Sequence, residues 1–201
     1  MTPLPRRAVL LALPALSGCA ALDVLTPAEA LPTYDLAPFP GRTGARRSVV
    51  LAVARPDAPA AIATDRILVK PDPLSVAYLP DARWADEVPA LLQSLAIRTI
   101  AATGRLGHVG AAETGPIPDT ALLLRIDAFQ AEPRPDAAGV PVRIALAATL
   151  VRDADQSLLA ARDFTATATA ATDSPAALVP AFQQALATIL PTLADWTADR
   201  A

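Results

Sequence analysis

The sequence predicts an α+β fold: a single mixed, mostly antiparallel sheet with two main helices packed on one face. Three observations predict it. Val140 to Val151 and Leu158 to Ala170 both alternate, with Val140, Val142, Ile144, Leu146, Ala148 and Leu150 set against Arg143, Ala145, Ala147 and Thr149. Strict alternation gives one buried and one wet face, so these stretches are neighbours in an antiparallel meander. Elsewhere the period lengthens to that of a helix: Trp84, Val88, Leu91, Leu92, Leu95 and Thr99 share one face, and so do Phe182, Leu186, Ile189, Leu190, Leu193 and Trp196. One sheet with both helices laid on its buried face covers all the apolar surface.

The elements follow in order. Tyr34-Asp35-Leu36 makes a short edge strand between Pro32 and Pro38, and Gly41 to Arg47 is a polar, basic loop. Ser48 to Ala54 is a continuous apolar run stopped by Arg55-Pro56, which reads as a buried strand. Arg66 to Lys70 and Leu74 to Leu79 form a hairpin about Pro71-Asp72-Pro73. A helix runs from Arg83 to Thr103, with Trp84 heading its buried stripe, Asp86 and Glu87 near its positive end and Pro89 in its first turn. Gly104 ends it. Leu106 to Val109 is a short strand before the Gly110 to Pro118 loop. Thr120 to Gln130 places Leu122, Leu124 and Ile126 on one side. Asp136 to Gly139 and Asp153 to Gln156 supply the turns of the meander. Ser174 caps the last helix, Pro175 takes its first position, and Pro191 predicts a kink. Both aromatic-bearing stripes are read as core packing.

The chain has 201 residues, 17 basic against 20 acidic, and a net charge of −3. No basic block or basic-aromatic interleaving appears, which argues against nucleic acid as a partner. The acidic balance also argues against charge attraction to anionic lipid heads. Arginine supplies every basic side chain except Lys70, and asparagine is absent. That bias matches GC-rich coding, so the 21 prolines carry less structural meaning than usual.

The N-terminus carries its own pattern. Arg6 and Arg7 precede an apolar run, Ala8 to Leu16, broken only by Pro14, and Leu16-Ser17-Gly18-Cys19 closes it. This is the layout of an export signal, and it is shorter than the roughly 20 apolar residues a bilayer span needs. Leu-Ser-Gly-Cys resembles the bacterial lipobox, in which Leu16, Ser17 and Gly18 are the recognised residues. The resemblance implies diacylglycerol on the Cys19 sulfur, cleavage just before it, and acylation of the new amine. An ordinary secretory signal with an incidental cysteine, or a buried N-terminal helix, is the alternative. Cys19 is the sole cysteine, which also excludes an internal disulfide framework. The expected organisation is a signal peptide at 1–18, a lipidated N-terminus and proline-rich tether at 19–32, and one domain at 33–201. Loss of Arg6 and Arg7, with no acid beside them, takes the mature part from −3 to near −5.

Catalytic chemistry finds no support. His108 is the only histidine, which excludes a catalytic triad or a two-histidine metal site within one chain. No phosphate-cradling glycine pattern is present, so ATP hydrolysis would belong to another subunit. The acid pairs Asp86-Glu87 and Asp153/Asp155 fall at a helix start and a turn, where capping and solvation explain them. We therefore expect no catalytic residue, no metal, and no cofactor beyond the lipid on Cys19.

Four segments then occur in a telling order: Tyr34-Asp35-Leu36, Asp65-Arg66-Ile67, Arg83-Trp84-Ala85-Asp86, and Leu124-Arg125-Ile126-Asp127-Ala128-Phe129. With the lipobox, they resemble the ABC-type transport auxiliary lipoprotein family over about residues 34–197. The resemblance implies a non-catalytic, periplasm-facing accessory of paraquat-inducible or MCE-type (mammalian cell entry) lipid-transport systems. Its partners would be an MCE-domain protein and an inner-membrane ABC permease and ATPase. Ala20, following Cys19 without the aspartate that retains enterobacterial lipoproteins in the inner membrane, implies the inner leaflet of the outer membrane. The linker after Cys19 and the Gly104 to Pro118 region depart from the family's pattern. A structural or assembly lipoprotein of another envelope machine and a carboxylate-dependent envelope enzyme are the competing classes. Neighbouring permease, ATPase and MCE genes would favour the first reading, and a pocket gathering two carboxylates the last.

The meander's second face is the remaining feature. Ala145, Ala147 and Thr149 on one strand and Thr165, Thr167 and Thr169 on the next are short and nearly uncharged. Exposed sheet surfaces normally carry charge. The face is either an ordinary wet surface enriched in alanine or an interface, with a second copy of the chain or with the MCE partner.

Overall fold

A computed structural model describes residues 30–135 and 137–201. Leu16, Ser17, Gly18 and Cys19, and the Asp136 position of the first meander turn, lie outside the described residues. Eight strands and two helices follow in order: β1 (Thr33–Tyr34), β2 (Val50–Val53), β3 (Arg66–Val69), β4 (Ala77–Trp84), α1 (Val88–Ala102), β5 (His108–Ala111), β6 (Thr120–Ala131), β7 (Val140–Arg152), β8 (Leu158–Ala170) and α2 (Pro175–Arg200).

The expected meander is present. β6, β7 and β8 pair antiparallel over long registers, with Ile144 opposite Phe129 on one side and Ala166 on the other. The even-numbered residues of β7, from Val142 to Leu150, are buried. α2 lies against β7 and β8, α1 lies against β2 and β5, and the two helices touch. α2 is long and apolar enough to cross a membrane, but Phe182, Leu186, Ile189, Leu190 and Leu193 are buried in the core.

The remaining pairings correct the expectation of a mostly antiparallel sheet. β1–β4, β2–β5, β2–β6 and β3–β6 are all parallel, so among the described residues the sheet is mixed and curled. β6 explains this. One of its edges is taken by β7 throughout. Its other edge is shared in series: β2 pairs with its first residues, Asp57 bridges at Arg125, and β3 meets Ala131 at its end. Two short flaps, β2–β5 and β3–β4–β1, thus hang from one long strand.

Two local irregularities set the core. The β6–β7 register shifts between Ile126 and Ala128, placing one extra residue, Asp127, in β6. Such a bulge reverses the alternation after it. Leu122, Leu124 and Ile126 face the core before the bulge and Phe129 and Ala131 after it, all nearly inaccessible. The second concerns β4, which continues to Trp84 where the sequence suggested that a helix begins at Arg83. Both edges of this segment are hydrogen-bonded: the Trp84 N–H donates to the Asp65 carbonyl (2.7 Å), and the Arg83 N–H donates to the Pro32 carbonyl (3.2 Å). Trp84 therefore ends a strand and does not head the α1 stripe. α1 starts four residues later, where Pro89 falls in its first turn. Trp84 is nonetheless buried, edge-on to Phe129 (5.7 Å) and Phe182 (5.1 Å).

Gly104 does end the helix region, with φ of +66°. Ser174 stands at the N-cap of α2 without a side-chain bond to the helix, its hydroxyl 2.9 Å from that of Thr172. α2 runs as one helix through Pro180 and Pro191.

Candidate functional site

The outer face of the meander is built by the odd-numbered residues of β7 and β8. Ala145 pairs with Thr165, Arg143 with Thr167 and Pro141 with Thr169. Thr165, Thr167 and Thr169 are exposed, Ala147 and Thr149 are half-buried, and Ala145 is buried between neighbouring rows. The short side chains predicted to share a face do share it. The face is less neutral than the alternation alone suggested, because Ala147 sits between Arg125 of β6 and Asp163 of β8. Arg125 Nε lies 2.7 Å from Asp127 Oδ1. The hydrogen bond from Arg125, reinforced by its charge and that of Arg143, holds the Asp127 carboxyl below the usual carboxylate range. A charged rim thus crosses an otherwise small-residue surface, the guard that exposed sheets commonly carry.

The bulge at Asp127 has a second consequence at the end of this face. It turns Gln130 outward, opposite Arg143. These two residues floor a cleft of about 620 Å³. One wall is Lys70-Pro71-Asp72-Pro73 of the β3–β4 hairpin, and the other is Glu132-Pro133-Arg134-Pro135 after β6. The walls are fixed by backbone bonds: the Lys70 N–H donates to the Ala131 carbonyl (2.8 Å), and Asp72 Oδ1 accepts from the Leu74 (2.9 Å) and Ser75 (3.0 Å) N–H groups. A hydrogen bond from the Ser75 side chain, the largest contributor, together with these backbone bonds lowers the Asp72 pKa. Gln130 is 7% exposed and its amide donates to Glu132 (2.8 Å), which also pairs with Arg134 (3.3 Å). Lys70 and Arg143 have no ion pair among the described residues. Beyond the cleft the hairpin tip is apolar and bare: Leu74 is 96% exposed and Val76 50%. Leu74 was expected to begin a strand; the Asp72 turn extends past it instead. The cleft escaped the sequence reading, although two proline–charge–proline motifs, Pro71-Asp72-Pro73 and Pro133-Arg134-Pro135, bracket it.

At the other end of the body the chain before β2 is strapped to α2. Gln183 exchanges two amide bonds with the Ala37 backbone (2.9 and 3.0 Å), and Asp195 accepts from the Arg42 N–H (2.7 Å) and side chain (2.9 Å). Arg105 joins this cluster through Asp195 and Asp199. The Arg105 hydrogen bond lowers the Asp199 pKa. No group of three or more metal-ligating side chains occurs among the described residues. His108 is exposed in β5.

The chain belongs to the family described as the ABC-type transport auxiliary lipoprotein component, whose model matches residues 34–194. Among solved structures, it is similar to protein XCC0632 from Xanthomonas campestris, with 25% identity and a TM-score of 0.74 over 83% of this chain and 95% of that one. The hypothetical protein CT253 from Chlamydia trachomatis shares the fold at 7% identity, with a TM-score of 0.51 over 77% of this chain and 98% of that one. No curated protein sequence matches.

Proposed function

We propose that this protein is a non-catalytic, lipid-anchored accessory of an ABC/MCE-type phospholipid transport system, held by Cys19 in the inner leaflet of the outer membrane and facing the periplasm. The observation that carries the reading is the family match over residues 34–194, preceded at the expected distance by Leu16-Ser17-Gly18-Cys19. Acyl chains at about 0.8 kcal/mol per buried CH₂ make such an anchor effectively permanent. Its partners would be an MCE-domain protein and, through it, the inner-membrane permease and ATPase. The outer face with Ala145, Ala147, Thr149, Thr165, Thr167 and Thr169 is the proposed contact surface, toward the MCE partner or a second copy. Mature protein extracted in mild detergent should co-purify with the MCE-domain partner, and Cys19→Ala should remove the lipid mass and the outer-membrane fractionation. Co-purification with a different envelope machine, or unchanged fractionation of Cys19→Ala, would overturn the reading.

A further inference from the structure

The two ends of the sheet differ in how their cations are engaged and in their relation to the start of the folded body. At the hairpin end, Lys70, Arg134 and Arg143 line one cleft, with Leu74 and Val76 projecting beside it. Two acids share that cleft, but Asp72 is turned onto the hairpin backbone and Glu132 onto Gln130 and Arg134. Lys70 is the only lysine of the chain. At the opposite end the exposed apolar side chains are Ile117 and Leu158. They stand beside Asp119, whose carbonyl accepts from the Asp153 N–H, and beside the Asp153–Asp155 turn. Arginines crowd this end too, but Arg46, Arg47 and Arg200 donate to backbone carbonyls and Arg105 and Arg152 pair with Asp199 and Asp155, whereas Lys70 and Arg143 have no ion pair among the described residues.

The chain enters the body from the hairpin end. β3 runs parallel to β6 and finishes at the hairpin, β4 runs back from it, and β1 runs parallel to β4 with Thr33 beside Arg83. Leu31 and Pro32 therefore approach β1 from the hairpin side. Leu31 lies about five residues along β4 from Val76, on the order of 15 Å at the rise of a strand. The twelve residues back to Cys19 reach roughly 40 Å when extended. An anchor at Cys19 can thus hold the hairpin end against the bilayer without strain.

We propose that the β3–β4 hairpin end is a membrane-docking surface for an anionic phospholipid bilayer: Leu74 and Val76 enter the headgroup–acyl boundary, while Lys70, Arg134 and Arg143 receive headgroup phosphates. The proposal rests on the anchored-lipoprotein part of the reading above and is independent of which transporter is served. An exposed leucine that follows Pro71 and Pro73 suits this use, because the rigid turn presents the side chain with little conformational freedom left to lose.

The test uses the mature, lipidated protein in vesicles, with Cys19 blocked by its lipid. An environment-sensitive dye is placed at Leu74→Cys and, separately, at Ile117→Cys. In phosphatidylglycerol-containing vesicles the dye at 74 should shift to the blue and be quenched by spin-labelled phospholipid, while the dye at 117 is not. Pure phosphatidylcholine vesicles should reduce the quenching at 74. Lys70→Glu with Arg143→Glu should abolish the difference between the two lipids, as should high salt, which screens exposed charges. Equal quenching at 74 and 117, or none at 74, overturns the proposal, and so does quenching at 74 that ignores lipid charge. Protection of position 74 only on adding the MCE-domain partner overturns it in favour of protein docking. Loss of the lipid mass on Cys19 would instead count against the anchor itself, so the two failures are distinguishable.

Discussion

β7 carries two unlike faces 13 residues long. On its inner side Val142, Ile144, Leu146 and Leu150 meet Phe129, Phe164 and α2, with aliphatic and aromatic groups filling the space between layers. On its outer side Arg143, Ala145, Ala147 and Thr149 stand in rows with Leu123, Arg125, Thr165 and Thr167. Both faces come from one alternating sequence, but volume is concentrated on one and nearly removed from the other. Stability is therefore an inner-face property, and the outer face is free to vary in shape and charge with little cost to folding.

The largest effect should come from the residue that switches the two faces. Inserting one residue between Ala145 and Leu146 of β7 gives Asp127 a partner, removes the bulge and returns β6 to simple alternation, which swings Phe129 outward. We expect a loss of at least about 3–5 kcal/mol, the usual cost of removing a buried aromatic. Asp127→Ala keeps the residue count and should cost no more than about 1 kcal/mol, the range of an exposed ion pair. Urea midpoints measure both. Equal midpoints for the insertion and the substitution would show that the bulge does not position Phe129.

Trp84→Ala probes the inner face directly and should cost about 3–5 kcal/mol, read as a lower melting temperature of the body. Trp84→Phe should cost much less, because the buried Trp84 Nε1 has no hydrogen-bond partner to lose. An unchanged melt for Trp84→Ala would detach this ring from the Phe129–Phe182 cluster.

These two sites also mark the limit of what the sequence makes legible. Alternation located β7 and β8 with their burial, and Pro175 and Gly104 marked the start of α2 and the end of α1. Each of those signals is local, a side-chain period or a backbone preference. The Asp127 bulge and the extension of β4 to Trp84 depend on partners 19 to 51 residues away, such as Leu146, Asp65 and Pro32. Parallel pairing is non-local for the same reason: a two-residue strand such as β1 exists only because β4 offers it an edge. The cleft was hidden twice over, since Gln130 faces it only after the bulge, and its prolines had been discounted as coding bias.

Acid should affect the outer face before the inner one. Arg125 holds Asp127 below its ordinary value of 3.8, so this carboxylate's contribution is complete above that value and is lost as pH falls through the lowered one. Melting temperatures of the parent and of Asp127→Asn should differ slightly at neutral pH and converge as pH drops below about 4. A gap that persists at pH 2 would place the effect in packing at the bulge instead of in the ion pair.

The smallest effect on stability should accompany the largest on assembly. Arginine at Ala147 and Thr167 together adds bulk and charge to the outer face without entering the core. At position 147 the new guanidinium lies opposite Asp163, which offsets its approach to Arg125. Substitutions away from buried networks usually stay within about ±0.5 kcal/mol, so the melt and the circular-dichroism spectrum should be nearly unchanged. A stable contact needs about 800 Å² on each partner, and two arginines at its centre would hold the surfaces apart. Light scattering on the mature protein, alone and with the MCE-domain partner, separates the two uses of the face. Loss of self-association alone assigns it to a second copy, and loss of the mixed complex alone assigns it to the partner. A variant that still forms every assembly of the parent returns the face to solvent and leaves the hairpin end as the surface to pursue.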